Sequence, residues 1–291
     1  MIIIKLQGGI GNQMFQYAFG KYLSLKHNTN LKLDLFFFGT QSLRKYELEG
    51  FSISGTVISR EEFSYILNPR KENLFIRGLK KLVGVDDRYV VISEAGFEFD
   101  PSAIAVSKNS YLSGYWQCEK YFKDVANVIR KEFVLKDALN DPVTKLAEQI
   151  RNCNSVSIHV RRGDYVTNEL TNRVHGVCGK NYYDTAVNYI SGQISNPVFF
   201  FFSDDIAWVK QNMTIAYEHY FISNEAITAH EELHLMSLCN HNIIANSSFS
   251  WWGAWLNNNQ KKIVIAPKNW FADETLNNQT NDLIPHEWKR I

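Results

Sequence analysis

The distribution of apolar and polar residues along the chain predicts strands that alternate with helices. Short apolar runs, typical of buried strands, are followed by glycine or polar turns and then by stretches in which apolar residues recur at helical spacing. The predicted strands are residues 2–6, 31–35, 155–160, 198–202, 242–245 and 263–266, and the predicted helices are residues 12–27, 182–194, 229–239 and 250–256. This alternation is typical of parallel sheets with helices on both faces, so the pattern predicts an α/β fold.

A polar stretch near the middle of the chain divides this pattern into two halves. Residues 136–142 read Lys-Asp-Ala-Leu-Asn-Asp-Pro, which favours a linker, and we place a domain boundary within residues 136–152. A length of 291 residues suits two domains of ordinary size. We therefore expect α/β domains at residues 1–145 and 146–291 that face each other across a cleft, with the last helix able to pack back on the first domain.

Composition and charge exclude several classes of protein. Thirty-one basic and thirty acidic side chains give a net charge of +1, which argues against nucleic-acid binding through bulk electrostatics. The four cysteines lie far apart, and neither a membrane span nor a signal peptide is recognisable, so we expect reduced thiols in the cytoplasm. Residues 66–83 mix basic and apolar side chains, which suits either peripheral contact with the inner face of the plasma membrane or a solvated helix face.

The first candidate site is the glycine turn between the first predicted strand and the first helix. Gly9 and Gly11 would let backbone N–H groups approach an anion at the helix N-terminus, and Asp34 ends the next strand where dinucleotide folds place a ribose-binding acid. Met14 stands at the third glycine position of the dinucleotide fingerprint, and Asn12 lies in the turn. An NAD-dependent oxidoreductase is therefore one alternative, and a tight turn with a capping Asn is another.

A second candidate site is the segment His230-Glu-Glu-Leu-His234, which matches the H-E-x-x-H pattern of zinc hydrolases. The extended form of that pattern would require Gly and His where this chain has Ser237 and Asn240. A zinc metallohydrolase that uses His230 and His234 is thus a further alternative.

Charged side chains follow two of the predicted strands, at the edge where open α/β sheets bind ligands. The segment His159-Val-Arg-Arg-Gly-Asp-Tyr165 ends one strand. One of its arginines can clamp a phosphate through two hydrogen bonds while the other anchors the structure, and Asp164 is either a base or an ion-pair partner. Asp204 and Asp205 follow the next strand, where they suit a metal ion, a base edge, a ribose or a helix N-cap.

The segment Asn246-Ser-Ser-Phe-Ser-Trp-Trp252 combines hydroxyl and aromatic side chains. Ser247 and Ser248 begin a predicted helix, whose N–H groups would form a second phosphate seat. Aromatic residues make up 14% of the chain, and core packing or stacking against a sugar ring would each explain that share. The motif aromatics that we expect to frame the cleft are Phe15, Tyr17, Tyr165, Phe249, Trp251 and Trp252.

Together these motifs resemble those of the bacterial α-1,2-fucosyltransferases of glycosyltransferase family 11. The resemblance runs through nearly the whole chain and is carried by four motifs in the same order. They are Gly-Gly-Ile-Gly-Asn-Gln-Met-Phe-Gln-Tyr-Ala18, His159-Val-Arg-Arg-Gly-Asp-Tyr165, Phe-Phe-Ser-Asp-Asp205 and Asn246-Ser-Ser-Phe-Ser-Trp-Trp252.

The resemblance implies a GT-B fold with two Rossmann-like domains, the N-terminal one on the acceptor side and the C-terminal one binding the donor. It implies GDP-L-fucose as the donor, inversion at the anomeric carbon, and no required metal or other cofactor. It also implies that the acceptor is the 2-hydroxyl of a terminal β-galactoside, either lactose-like or lipid-linked.

The resemblance assigns roles to individual residues as well. Arg161 would hold the β-phosphate of the donor, His159 would lie beside the nucleotide, and Asn12 would lie close to the reacting sugar. An acid on the helix before the Ser-rich loop would read guanine, which by order is Glu232, with Glu231 as the neighbouring alternative. The predicted catalytic residues are Arg161, Asp164 and Asn12, and the predicted donor-binding residues are Gly9, Gly11, His159, Arg161, Asp204, Asp205, Glu232, Ser247, Ser248 and Phe249.

Overall fold

The computed structural model describes residues 1–67 and 89–291, which form two compact units. The first unit contains Met1–Glu49 and Ile53–Glu132, and the second contains Gly50–Ser52 and Phe133–Ile291. Each unit is built on its own parallel sheet. The α/β class and the Rossmann-like character predicted for both halves are thereby confirmed.

The sheet of the first unit has five parallel strands in the order β3-β2-β1-β5-β4. Its strands are β1 (Ile2–Lys5), β2 (Leu31–Asp34), β3 (Thr56–Val57), β4 (Val90–Ser93) and β5 (Ser110–Ser113), and its helices are α1 (Ile10–Lys26), α2 (Arg60–Leu67) and α3 (Ala126–Glu132). Since β2 pairs with one edge of β1 and β5 pairs with the other, the strand order reverses direction between β1 and β5. That reversal marks the carboxyl ends of β1 and β5 as the ligand-binding edge of this sheet.

The sheet of the second unit has six parallel strands in the order β11-β10-β9-β6-β7-β8. Its strands are β6 (Asn154–Val160), β7 (Pro197–Ser203), β8 (His219–Phe221), β9 (His241–Ile243), β10 (Val264–Ala266) and β11 (Lys289–Arg290). Its helices are α4 (Asp141–Arg151), α5 (Gly163–Thr167), α6 (Glu169–His175), α7 (Lys180–Ser191), α8 (Ile206–Asn212), α9 (Ala229–Leu238), α10 (Ser248–Leu256) and α11 (Glu274–Asn277). Counted from β6, this is the 3-2-1-4-5-6 order of the Rossmann fold, whose switch point lies between β6 and β9.

Residues 136–152 contain a helix of the second unit. Asn140 accepts a hydrogen bond from the Val143 N–H and caps α4, and Pro142 lies in the first turn, where a missing N–H has no cost. Val143, Ala147 and Ile150 of this helix are buried in the core of the second unit. Residues 136–140 of the predicted linker are irregular and end in this cap, and residues 141 and 142 begin the helix. The chain passes from the first unit to the second at Glu132 and Phe133.

Most motif aromatics belong to the two cores. Phe15, Tyr17, Trp251 and Trp252 are at most 1% exposed, so the expectation that they frame a cleft is wrong for these four. Trp251 and Trp252 pack edge-to-face, and the Trp251 indole donates to the Leu283 carbonyl, so α10 is covered on more than one face. A helix covered in this way buries aromatic residues whatever their spacing.

The expectations about membrane contact and about the cysteines can be compared with the described residues. Most of the basic stretch 66–83 lies outside the described residues. Within residues 1–67 and 89–291, no helix combines the length and the apolar character that crossing a bilayer requires. The four cysteines are free thiols.

Candidate functional site

Arg161 follows β6 directly and lies at the switch point of the second sheet. Its Nη1 lies 2.9 Å from Asp204 Oδ2, and its Nη2 lies 2.5 Å from Asp164 Oδ1. Burial lowers the pKa of Arg161, but the carboxylates of Asp204 and Asp164 raise it by more, so the group stays cationic. The side chain is 21% exposed, which leaves the cation within reach of a ligand at this edge.

Arg162, the second arginine, is held in a different way. Its guanidinium carbon lies 3.8 Å from the centroid of the Trp208 ring, and its Nε lies 3.2 Å from Asp205 Oδ2. The other carboxylate oxygen of Asp205 accepts from the Trp208 N–H and caps α8. Arg162 therefore anchors α8 to the end of β6, which is the anchoring role that the sequence suggests for one of the two arginines.

Asp204 links the side chain of Arg161 to the backbone of Arg162. Its Oδ1 accepts from the Arg162 N–H at 2.9 Å while its Oδ2 pairs with Arg161. Gly163 makes this approach possible, because a Cβ there would overlap Asp204 Oδ2 and lie 3.1 Å from Asp204 Cγ. The glycine between Arg162 and Asp164 is thus required by a close side-chain contact.

His159, the second-to-last residue of β6, is buried beneath the arginines. Burial and the neighbouring charge of Arg161 lower the pKa of His159 to about 3, so the imidazole is neutral at physiological pH. Its Nδ1 is buried without a hydrogen-bond partner among the described residues, and its ring packs against Phe249 at 5.4 Å between centroids. Because the imidazole is neutral, the positive charge at the end of β6 comes from the arginines and not from His159.

The start of α10 lies on the other side of the switch point, after β9. Ser247 caps this helix by accepting from the Phe249 N–H at 3.3 Å. Ser248 is the first helical residue and is half-buried, and its hydroxyl makes no hydrogen bond within residues 1–67 and 89–291. The N-terminus of this nine-residue helix presents partial positive charge at the edge that carries Arg161.

The two acids of the H-E-x-x-H segment have separate surroundings. Glu231 forms a capping box with Thr228 at the start of α9. The hydroxyl of Ser223 accepts from the Ser203 N–H at the end of β7. Burial, together with the charge of Asp204, raises the pKa of Glu232 to about 7, against an opposite effect of the Ser223 side chain. Glu232 is therefore the acid of this pair that lies with the strand-end cluster.

The zinc alternative finds no support in these contacts. His230 packs its ring against Phe51 at 5.0 Å and against Gly50, where a Cβ would lie 2.6 Å from its Cδ2. Glu231, the residue that would serve as the general base, caps a helix. Within the part of the chain that the structure describes, no three His, Cys, Asp or Glu side chains form a group that could hold a metal ion.

The glycine turn of the first unit follows β1 and lies at the carboxyl edge of that unit's sheet. Gly8 has φ +78, and a Cβ there would lie 2.6 Å from Asn12 Nδ2, so this turn needs glycine. Gly9 caps α1 without a side-chain hydrogen bond, and Gly11 lies in the first turn. The Asn12 Oδ1 accepts from Gln117 Nε2 at 2.7 Å, which ties it to the segment after β5.

Asp34 is unsuited to a ribose because both of its oxygens are engaged inside the fold. Its Oδ1 accepts from the Phe36 N–H at 2.8 Å and its Oδ2 from the Tyr111 hydroxyl at 2.6 Å. The side chain is 2% exposed. The dinucleotide alternative therefore loses the acid on which it depends.

Two residues of these edges, His175 and Gln117, are absent from the residues that the sequence predicts. The guanidinium carbon of Arg161 lies 5.2 Å from the ring centroid of Tyr165, one of the predicted motif aromatics, and His175 is stacked on Tyr165 with ring centroids 4.6 Å apart. Gln117 is the partner of Asn12 in the first unit. No local pattern in the sequence connects His175 or Gln117 to these edges.

Comparison with known proteins places this arrangement in a family. The model of glycosyl transferase family 11 matches residues 1–291, the whole chain. The chain belongs to glycosyl transferase family 11. It is accordingly an enzyme that transfers a sugar, and this membership supports that interpretation over the zinc hydrolase and the oxidoreductase.

The proteins similar to this chain have names that differ in the sugar transferred. An alpha-1,2-colitosyltransferase of Escherichia coli is 36% identical over 100% of this chain and 99% of its own length. A galactoside alpha-(1,2)-fucosyltransferase 1 of Rattus norvegicus is 30% identical over 50% of this chain and 41% of its own length. The fold is similar to that of the alpha-1,6-fucosyltransferase NodZ, solved after soaking with GDP-fucose, with a TM-score of 0.50 and 14% identity over 88% of this chain and 91% of that one. The similarity confirms the predicted GT-B-like class.

Gly163→Ala tests the contact between Gly163 and Asp204. The new Cβ must displace a carboxylate that is held by Arg161 and by the Arg162 N–H, so we expect the free energy of unfolding to fall by about 1–3 kcal/mol. Urea unfolding measures the change. Gly39→Ala is the matched control, because a Cβ at Gly39 meets nothing within 4 Å. Equal unfolding midpoints for the two variants would show that Gly163 is not needed for this contact.

Proposed function

We propose that this family 11 enzyme transfers L-fucose from GDP-L-fucose to the 2-hydroxyl of a terminal β-galactoside, with inversion and an α-1,2 linkage. The observation that carries the proposal is Arg161, a cation at the Rossmann switch point between β6 and the helix that starts after β9. In open α/β sheets this is where a nucleotide's phosphates bind. Relatives with α-1,2-fucosyl and α-1,2-colitosyl activity in their names support the linkage.

Arg161 would act on the leaving group. Transfer of a glycosyl residue passes through an oxocarbenium-like transition state, and in this reaction negative charge develops on the β-phosphate as its bond to the sugar breaks. A fixed guanidinium stabilises that charge without reorganising, because Asp204 and Asp164 already orient it. The N-terminus of α10, with the Ser248 hydroxyl, would add hydrogen-bond donors beside it.

The nucleoside would lie along the same edge. Glu232, on the β7 and β8 side of Arg161, would accept hydrogen bonds from the N–H groups of guanine, and His159 with Phe249 would pack beside the nucleotide. Asp205 is committed to Arg162 and to the cap of α8, so its contribution to donor binding would be indirect.

The acceptor hydroxyl needs a group that takes its proton, and we propose Asp164. Its carboxylate pairs with Arg161, so it lies beside the position proposed for the β-phosphate. A donor diphosphate can accept from the other N–H groups of Arg161 while this pair persists. Asn12, with Gly9 and Gly11, would contact the reacting sugar, and Gln117 fixes the Asn12 amide.

A colitosyl residue is a second candidate for the transferred sugar. The observation that favours it is the colitosyltransferase relative, which matches this chain over its full length. The acceptor is proposed as a β-galactoside in either case, as a free lactose-like sugar or a lipid-linked oligosaccharide.

A donor-by-acceptor screen tests the proposed reaction. GDP-L-fucose and the GDP derivative of colitose are each incubated with and without lactose, and GDP release and the product linkage are measured. We expect galactoside-dependent GDP release with GDP-L-fucose, an α-1,2 product, and undiminished activity in EDTA, because Arg161 carries the charge on the leaving group. Turnover with the colitose donor alone would select the second candidate. Absence of transfer from both donors to any β-galactoside would overturn the proposal.

The pH dependence of GDP binding tests the role of Glu232. Because the pKa of Glu232 is raised to about 7, protonation below pH 7 removes the carboxylate that would accept from guanine. GDP affinity should therefore fall as the pH falls, approaching about tenfold per pH unit well below the pKa. Calorimetry between pH 5.5 and 8.5 measures it.

Matched variants separate Glu232 from the phosphate groups of GDP, which also titrate. In Glu232→Gln, the part of the pH dependence of GDP affinity that comes from Glu232 should disappear. In Glu231→Gln it should remain, because Glu231 caps α9. Identical pH profiles for both variants would contradict the assignment of Glu232 to guanine.

A further inference from the structure

The guanidinium of Arg161 is held by two carboxylates and by an aromatic ring. Asp204 and Asp164 accept from the two terminal nitrogens. The guanidinium carbon lies over the Tyr165 ring, 5.2 Å from the ring centroid. The carboxylates hold the guanidinium through hydrogen bonds, and the ring adds cation–π attraction.

These contacts leave donors for an incoming anion. A guanidinium has five N–H groups, and Asp204 and Asp164 accept from its two terminal nitrogens, so a diphosphate can accept from the remaining N–H groups without displacing them. The Tyr165 ring uses none of these N–H groups. Tyr165 therefore helps to hold the guanidinium in place without competing with the diphosphate.

Tyr165 is itself part of a layered arrangement of rings. His175 is stacked on it, with centroids 4.6 Å apart and planes 12° apart, and Phe271 packs against His175 at 5.3 Å. Asn246, just beyond β9, ties this arrangement to the sheet. Its carbonyl accepts from the Tyr165 hydroxyl at 3.3 Å, and its Nδ2 donates to the His175 carbonyl at 2.9 Å.

His175 contributes to this arrangement as a ring and not through its Nδ1. That nitrogen is buried and has no hydrogen-bond partner among the described residues. Burial lowers the pKa of His175, and the charge of Arg161 lowers it further, against an opposite effect of Asp164. A neutral ring adds no second cation beside Arg161, so an uncharged aromatic residue should replace it.

We propose that Tyr165 and His175 are positioning residues that hold the Arg161 guanidinium in place while it binds the donor diphosphate. The inference rests on the proposed function, since it concerns the same cation. It adds that the geometry of the cation depends on two rings that need not touch the donor.

The test compares variants that keep the rings with variants that remove them. Tyr165→Leu should lower kcat about 3- to 30-fold, the range for loss of a cation–π contact. Tyr165→Phe should stay within about threefold of wild type, because only one long hydrogen bond is lost. His175→Ala should lower kcat and His175→Phe should restore it. Tyr189→Leu, which removes a ring that lies 4.9 Å from Lys289 Nζ on the surface, is the matched control.

A double-variant cycle with Arg161→Ala shows whether the rings act through the cation. Without the guanidinium there is nothing to position, so Tyr165→Leu should have no further effect on kcat in the Arg161→Ala background. GMP affinity should be unchanged in Tyr165→Leu, because GMP lacks the β-phosphate, whereas general damage to the site would weaken it.

Four outcomes would overturn the inference. Additive effects of Tyr165→Leu and Arg161→Ala would show that the ring acts elsewhere. Equal losses in His175→Phe and His175→Ala would show that an imidazole nitrogen is needed. Wild-type kcat in Tyr165→Leu, with Arg161→Ala strongly impaired, would remove the positioning role and leave the proposed function intact, whereas an active Arg161→Ala would remove both.

Discussion

The ion pair between Arg161 and Asp204 is the contact on which the rest of the site depends. It joins the ends of the adjacent strands β6 and β7, and Asp204 extends it to the Arg162 backbone. The absence of a side chain at Gly163 allows the carboxylate to come this close. A cation held by two carboxylates is costly to bury and sensitive to the loss of either partner, so the surrounding chain must keep all three in place.

The second sheet explains why this ion pair lies where a nucleotide would bind. Its strand order is that of the Rossmann fold, and the switch point falls between β6, which leads to Arg161, and β9, which leads to the capped helix at Ser247. A side-chain cation and a helix N-terminus thus come from two strands that are neighbours in the sheet and far apart in the chain. The first sheet has a switch point of its own, between β1 and β5, and Asn12 and Gln117 are joined there. Each unit therefore brings one polar cluster to the carboxyl edge of its strands.

Six of the eleven strands that the structure describes, four of its helices and most of the cluster around Arg161 could be predicted from the sequence, because a buried parallel strand is a short apolar run that polar residues follow directly. The strands β3, β4, β5, β8 and β11 were not predicted, and each has only two to four residues. Some local signals in the sequence have two meanings. The predicted linker 136–142 ends in Asn140, Asp141 and Pro142, and an Asn cap followed by Pro and by Val143, Ala147 and Ile150 at helical spacing is also a helix start. Thr228 and Glu231 form a capping box, which explains the first Glu of the H-E-x-x-H segment more simply than a zinc site does. The pairing of Tyr165 with His175 could not be predicted, since it joins two short helices through tertiary packing.

The central claim is that Arg161 binds the β-phosphate of the donor, and the affinities of GDP and GMP, measured by calorimetry for the wild type and Arg161→Lys, test it most directly. The two nucleotides differ only by that phosphate, and lysine keeps the charge while losing the planar, two-pronged donor. The account predicts that the wild type prefers GDP by at least about tenfold, the worth of one charge-assisted hydrogen bond, and that Arg161→Lys loses most of this preference while its GMP affinity is unchanged. An undiminished preference for GDP in Arg161→Lys, or an equal loss of affinity for both nucleotides, would contradict it.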